Sequence, residues 1–437
     1  MSGIYIHIPF CRQACSYCDF YFVTRDRLIP EFVDALICEV NAVTVHGGSP
    51  FPSDPVRTLY IGGGTPSRLS ATHIRRLFAA LHERIDLSQL EECTIEVNPE
   101  DVSPDWLSEV RDMGATRLSM GIQSFQPELL DFMHRAHSAD QAHRALENVK
   151  AAGFATYSVD LIYGCPDQTT AQLQADLDHL MTYRPPHISA YSLTIEPKTR
   201  LGKRAALGRL APAGDDDVAT QAQMIRDTLA AGGIFRYEIS NYSEPGHEAL
   251  HNSAYWSHEN YLGLGPAAHS FFWKAGSDYA SRWQHPPDIH AYSRTVRSPN
   301  YRAGAPDAIS GTPSHQIQAH QTLSHESQTP GTLPRMMRPG EKRSPETLPQ
   351  KTQSHETISL ETLSLETLAE ERLMTGLRTI RGVDPGELQS RYRYSLQPSQ
   401  RRQIDEFRKK GLLEPEDPLR LTKDGFQLAD AITLRLI

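Results

Sequence analysis

Residues 3–23 read GIYIHIPFCRQACSYCDFYFV, and the rest of the chain is organised around them. Ile4, Tyr5, Ile6 and Ile8 form a short apolar run of the kind that makes a buried strand, and Pro9 ends it. Cys11, Cys15 and Cys18 follow at once, spaced C-x-x-x-C-x-x-C and interleaved with Phe10, Tyr17, Phe20, Tyr21 and Phe22. Three thiolates at that spacing can hold three irons of a [4Fe–4S] cubane and leave the fourth iron unprotected. The alternatives are three unrelated thiols or part of a zinc site. Zinc normally wants a fourth ligand nearby; Asp19 is poorly placed for it, and no second C-x-x-C follows. The cluster is the better reading, with Tyr5 and Tyr17 beside it as cofactor-binding candidates.

A chain of 437 residues can hold a large core and two or three domains. With 39% hydrophobic residues and a net charge of −9, it has the composition of a soluble, mildly acidic protein, which disfavours a general nucleic-acid binder. No apolar run approaches the length of a membrane span, and the first strand begins too early for a signal peptide. Six cysteines are too few and too unevenly spaced for a secreted disulfide framework. Cys38, Cys93 and Cys165 sit singly in helix or strand patterns and read as buried free thiols, consistent with a reducing cytoplasm.

From Gly3 to about Ser240, apolar runs alternate with helical patterns. Strands are expected at 4–8, 57–61, 93–97, 117–122, 156–162, 187–193 and 236–239. Ser70, Ser103, Ser138 and Thr170 read as N-caps between them, and Gly114, Gly153 and Gly232 as helix stops. That alternation demands right-handed crossovers and a parallel sheet. The α/β fold expected is a partial, TIM-like (β/α)6 barrel over residues 1–240. Polar residues gather where successive strands end, the place where barrels build their sites.

Those strand ends are informative one by one. Gly62-Gly63-Gly64-Thr65-Pro66 follows the second strand; adjacent glycines let backbone approach a ligand, although a tight turn would look the same. No G-K-[ST] follows, so a nucleoside triphosphate is disfavoured. Glu96 and Asp160 each interrupt an apolar run, where a bare carboxylate is costly. Gln123 ends the fourth strand with an amide that both donates and accepts. Arg135 is a natural bidentate partner for a carboxylate, whereas His134 and His137 read as surface polar residues.

The cysteine stretch resembles the signature of the radical S-adenosylmethionine (SAM) enzymes, and IYIHIPFC…C..CDF resembles their coproporphyrinogen-oxidase-like branch, which includes heme chaperones. The resemblance implies SAM chelating the open iron, followed by reductive cleavage to a 5′-deoxyadenosyl radical. It further implies Gly64 and Thr65 near the methionyl amino group, Glu96 at the ribose hydroxyls and Asp160 also at SAM; the Gln123 amide then suits a ribose or carboxylate contact, and Arg135 the SAM carboxylate. Two departures separate this chain from the oxidases of the branch. They carry a further cysteine where this chain has Asp19-Phe20, and a segment before the first strand where it has only Met1 and Ser2. Both imply that coproporphyrinogen III is not the substrate and match the heme chaperones; the alternative is an oxygen-independent coproporphyrinogen III oxidase or another tetrapyrrole enzyme. SAM cleavage is within the scaffold's expected capacity.

A second stretch, 241–297, contains His251-Asn252-x-x-Tyr255-Trp256, which resembles the H-N-x-x-Y-W motif of the heme chaperones. A neutral imidazole suits heme iron, so His251 is the expected axial ligand, with His269 a lesser candidate. Tyr255, Trp256, Tyr261, Phe271, Phe272 and Trp273 could stack on a porphyrin; otherwise they form an aromatic lid with His251 hydrogen-bonded inside. Residues 298–368 are rich in Ser, Thr, Pro, Gln and His and repeat Ser-Leu-Glu-Thr-Leu in tandem, the composition of a disordered insertion. Residues 369–437 read as a small, mainly helical, winged-helix-like domain for packing or docking. The resemblance implies heme, heme-acceptor respiratory proteins and an electron donor as partners. It also implies a cytoplasmic protein with peripheral contact at the membrane.

Overall fold

The computed structural model describes residues 2–51, 54–304, 317–320 and 358–437. Its centre is six parallel strands: β1 (Ser2–Ile8), β2 (Val56–Gly63), β3 (Glu92–Val97), β4 (Arg117–Gln123), β5 (Thr156–Tyr163) and β6 (His187–Ser192). They pair in sequence order, β1 to β6, with helices between them. A doubly wound sheet would reverse its order partway across; this one does not, and the barrel-type wind expected from the sequence is present. β1 and β6 do not pair, so the sheet stays open.

The strands alternate strictly. Ile4, Ile6, Leu59, Ile61, Ile95, Val97, Leu118, Met120, Val159 and Ile188 belong to the main core, shared with the flanking helices. The opposite face carries Tyr5, His7, Thr58, Tyr60, Thr94, Glu96, Ser119, Ser158, Asp160, His187 and Ser189. Since side chains alternate with period two, one face packs helices and the other lines a polar hollow.

Beyond β6 the chain turns back. β7 (Phe235–Arg236) and β8 (Asn241–Ser243) form a small hairpin whose second strand runs antiparallel to β6. The strand expected at 236–239 is mostly this turn, because the Glu238 carboxylate accepts from the Ser240 N–H at 3.0 Å and reverses the backbone. On the other side β1 pairs in parallel with β9 (Tyr261–Leu264). The sheet then continues through β10 (His269–Phe272), β11 (Tyr279–Gln284), β13 (Ile358–Ser364) and β12 (Ile317–His320). Gly263 is required here: a Cβ on it would lie 2.0 Å from the His269 carbonyl oxygen.

The expected insertion is narrower than 298–368. Tyr301 is buried against the first helix, Ile317–His320 and Ile358–Ser364 are strands and Leu365–Gly376 a helix, while residues 305–316 and 321–357 lie outside the described residues. The C-terminal module has helices Leu365–Gly376, Pro385–Tyr392, Pro398–Lys409 and Ala429–Leu436. Where a wing hairpin was expected there are only isolated antiparallel bridges, Val383 with Leu419 and Leu413 with Leu421. Ser70, Ser103 and Ser138 cap their helices as expected, but the next cap is Thr169, not Thr170, because Thr169 and Gln172 form a capping box. Cys93 and Cys165 are buried; Cys38 is exposed on its helix, contrary to expectation. No helix among the described residues is long and apolar enough to cross a membrane.

Two buried charged nodes hold the extension, one to the barrel and one to the C-terminal module. Glu39, on helix Ile29–Asn41 and fully buried, accepts from Gly265 N at 2.8 Å, Tyr292 Oη at 2.6 Å and Tyr301 Oη at 2.8 Å, and pairs with His285 Nε2 at 2.8 Å. Glu371 takes Arg282 on both oxygens, at 3.0 and 2.7 Å, with His258 Nε2 at 3.4 Å. Burial pushes Glu371 up, but His258 and Arg282 outweigh it and hold its carboxyl at about 2.

Replacing Glu39 by Ala strands four partners and is expected to cost about 3–5 kcal/mol in urea unfolding; a loss under about 1 kcal/mol would contradict the node. For Glu371 the depressed value means its contribution is complete above the ordinary carboxylate value of 4.5 and lost as pH falls toward about 2. Glu371→Gln should therefore be less stable than wild type at neutral pH. Its stability should fall less steeply between about pH 4.5 and 2, as followed by tryptophan fluorescence with Arg282, His258 and Glu361 all in place.

Candidate functional site

The cysteine loop is tied off at its base. Cys11 N donates to Val23 O at 3.0 Å and Val23 N to Pro9 O at 2.6 Å, so residues 11–23 leave and rejoin the end of β1. Ser16 N and Oγ donate to the carbonyls of Met133 and Phe132, and Gln13 to that of His134. The loop is thus fastened over the carboxyl ends of the strands, as the barrel reading expected.

The glycine segment works by close approach. A Cβ on Gly62 would sit 2.7 Å from Glu96 Oε1, one on Gly63 2.5 Å from the His7 ring, and one on Gly64 2.9 Å from the Pro9–Phe10 backbone. Gly63 also has φ of +110°. Glu96 then clamps the segment, accepting from Gly63 N at 3.0 Å and Tyr60 Oη at 2.7 Å. His7 bonds Tyr5 Oη at 2.9 Å and the Tyr21 carbonyl at 3.0 Å, joining the inner face to the cysteine loop.

A chain of polar contacts runs beneath the thiols. Thr65 Oγ1 points at Cys11 Sγ, 3.7 Å away, and accepts from Asn98 Nδ2 at 3.1 Å. Asn98 Oδ1 accepts from Arg135 Nη2 at 2.9 Å, and Arg135 Nη1 lies 3.4 Å from Cys15 Sγ and 3.5 Å from Tyr17 Oη. Arg135 Nη2 also donates to Gly121 O at 2.7 Å. Arg135 is therefore spent on the cysteine loop, not held free for a carboxylate; only its buried Nε has no partner. Gln123 stands at φ +69° with a buried, unpartnered Oε1. Asn98 and His7 were missed from sequence, although Asn98 stands just past a strand end, before a proline.

The three thiols fit a cluster. They interact with one another, and burial raises Cys11 to about 11 and Cys18 to about 12. Three half-buried thiolates crowded together need positive charge at their centre, which irons supply. No three His, Cys, Asp or Glu side chains among the described residues are gathered for a single metal ion; a cubane needs only one thiolate per iron. Below the thiols, burial lifts Glu96 to about 7 and Asp160 to about 6, with each other's charge also raising Glu96. Ser119 and Ser158 reach Asp160 at 3.4 Å.

The second motif lies at the opposite end. His251, 1% exposed, stacks on Tyr60 beneath Gly3 and Thr58. Its Nδ1 bonds Thr58 Oγ1 and its Nε2 bonds Tyr255 Oη, both at 2.8 Å. Burial lowers it to about 3 and keeps it neutral. As folded, His251 has no free nitrogen, contrary to the expected axial ligand. Glu92 accepts from Leu250 N and His251 N, fixing the helix as a floor under the hollow. Tyr261 and Phe271 pack into the C-terminal module's core with Tyr255 against it, and Trp273 packs on Tyr392; these rings are spent on packing. His137 is buried against Glu100 and the Ile122 carbonyl, not on the surface.

Residues 5–180 match the radical SAM superfamily and residues 363–428 the HemN C-terminal domain. The chain is 38% identical over 271 residues to the heme chaperone HemW of Lactococcus lactis, covering 62% of this chain and 69% of that one. The corresponding figures are 35% over 274 residues, covering 62% and 71%, for HemW of Bacillus subtilis. For HemW of Escherichia coli they are 36% over 271 residues, covering 61% and 69%. The fold is similar to that of the coproporphyrinogen III oxidase HemN of Escherichia coli, with a TM-score of 0.71 at 19% identity over 100% of this chain and 89% of that one. With three thiols over a polar hollow and relatives of this closeness, the chain belongs to the HemW family within the radical SAM superfamily.

Proposed function

We propose that this chain is a heme chaperone that carries a [4Fe–4S] cluster on Cys11, Cys15 and Cys18, binds SAM beneath it, and passes heme to acceptor proteins of respiration. The observation that carries the reading is the thiol–Thr65–Asn98–Arg135–thiol chain closing the top of a polar hollow. When bound, the cluster and SAM supply one-electron chemistry and a radical source. The protein's part is positional. Thr65 and Arg135 donate toward the thiols, Glu96 locks the glycine segment, and Gln123 and Asp160 offer polar atoms to a ligand in the hollow. Phe20, at the position where the oxidases of the branch keep a cysteine, favours delivery over porphyrinogen oxidation. The setting is cytoplasmic with contact at the membrane where acceptors reside, and residues 369–437 serve as a closing and docking module.

Anaerobic reconstitution is expected to give about four irons and four sulfides per chain, and Cys15→Ala to lose the cluster's visible absorbance while keeping the wild-type far-UV spectrum. Heme uptake without decarboxylation of coproporphyrinogen III is the expected activity pattern; decarboxylation would overturn the chaperone reading. For His251 to bind heme iron, Nε2 must leave Tyr255. Tyr255→Phe removes that competing bond of about 1 kcal/mol, so heme binding should tighten roughly five-fold in a Soret titration. Unchanged affinity would remove His251 from the heme site.

A further inference from the structure

Beside the cysteine loop, in a chain of net charge −9, lies a run of unneutralised positive charge. Lys198, Arg200, Lys203, Arg204 and Arg209 are all exposed, on and around the helix Arg200–Ala206. None of the five is ion-paired among the described residues; Arg204 has a ring contact, its guanidinium 5.9 Å from the Phe132 ring. Burial and the neighbouring Asp19 charge raise the Glu196 carboxyl, so these two acids stand by each other. The helix is not loose. Thr199 caps it, and Leu201 N donates to Ser16 O at 3.0 Å, between Cys15 and Cys18. The Phe132 backbone in turn accepts from Ser16 Oγ. The positive face is therefore coupled through one residue to the loop that bears the thiols; on that loop Phe20 is 52% exposed, and at the helix end Leu207 is 66% exposed.

We propose that this basic face, Lys198–Arg209 with Phe20, docks an acidic one-electron carrier protein that reduces the cluster; the proposal rests on the cluster assignment above. In the step, one electron leaves the carrier's flavin or iron–sulfur centre and enters the cluster, and no atom is transferred. Charge complementarity of this kind steers encounter and fixes orientation, and an exposed aromatic beside the redox centre gives the short apolar contact that such transient interfaces use. A membrane-binding helix would show an apolar stripe along its length. This one buries Leu201 and leaves only Leu207 exposed at its end.

The test uses the full, reconstituted chain with a bacterial flavodoxin as probe. The triple variant Lys203→Glu, Arg204→Glu, Arg209→Glu is compared with a control reversal at Arg402, Lys409 and Lys410, exposed cations of the C-terminal module. Flavodoxin binding by calorimetry and cluster reduction by stopped flow should both weaken about ten-fold or more at low ionic strength in the first variant only. The difference should vanish near 0.5 M salt, about four-tenths of a nanometre of screening length, while reduction by dithionite, which needs no docking, stays unchanged. Equal losses with dithionite, or equal losses in the control variant, overturn the proposal. So does a triple variant that keeps flavodoxin binding but no longer sediments with phosphatidylglycerol vesicles. Absence of iron and sulfide after reconstitution would sink the cluster assignment instead, and flavodoxin binding to the unreconstituted chain would still report on the face.

Discussion

A hollow lined by tyrosines, serines, carboxylates and histidines cannot be closed by apolar packing, and the rest of the molecule follows from that constraint. Each inner polar group must find a partner, meet solvent or meet a ligand. At the bottom, His251 and Tyr255 satisfy Thr58 and cover Tyr60. At the top, the cysteine loop is bonded to His7, Thr65 and Arg135. Between them Tyr5, Tyr60, Glu96, Ser119 and Asp160 stay partly exposed, all on one face. Residues left half-open in the middle of a core are the ones that a bound molecule would cover.

The open side of the sheet is bridged in a different way. The C-terminal module shares a core with Tyr261, Phe271, Ala280 and Leu363 on one side. On the other, Ile380 N donates to Tyr237 O, Thr379 bridges Glu238, and Arg236 lies 3.9 Å over the Phe426 ring. One module thus touches both edges that strand pairing leaves apart. The open sheet is bridged by a packed module and not by hydrogen-bonded strands.

The parallel core was legible from sequence because each of its strands carries an apolar face with strong periodicity, bounded by capped helices. The thiols were legible because their spacing is short and local. What escaped depends on residues far apart in the chain. Asn98 matters only because Thr65 and Arg135 arrive on either side of it. His251 looked like a ligand because its partners, Thr58 and Tyr255, are ordinary residues whose hydroxyls only the fold brings to both its nitrogens. Arg135 was expected at a carboxylate by its chemistry, whereas in the fold its guanidinium meets the Cys15 thiol, the Asn98 amide and the Gly121 carbonyl. β9, β10 and β12 escaped because four residues are too few to show a pattern, and β11 and β13 because they fall in stretches read by composition as an aromatic segment and an insertion.

The tandem pentapeptide carries a consequence of its own. Ser359-Leu360-Glu361-Thr362-Leu363 is strand, paired with β11, and the identical Ser364-Leu365-Glu366-Thr367-Leu368 begins a helix. Composition cannot distinguish the copies, so the boundary rests on position alone: Ser364 Oγ caps Thr367 N, while Glu361 faces Arg282. A five-residue slip would present the same side chains to β11 with nothing changed in local sequence. The repeat therefore works as a vernier with two equivalent marks, and inserting one further copy beside them would still leave one pentapeptide for the strand and one for the helix start.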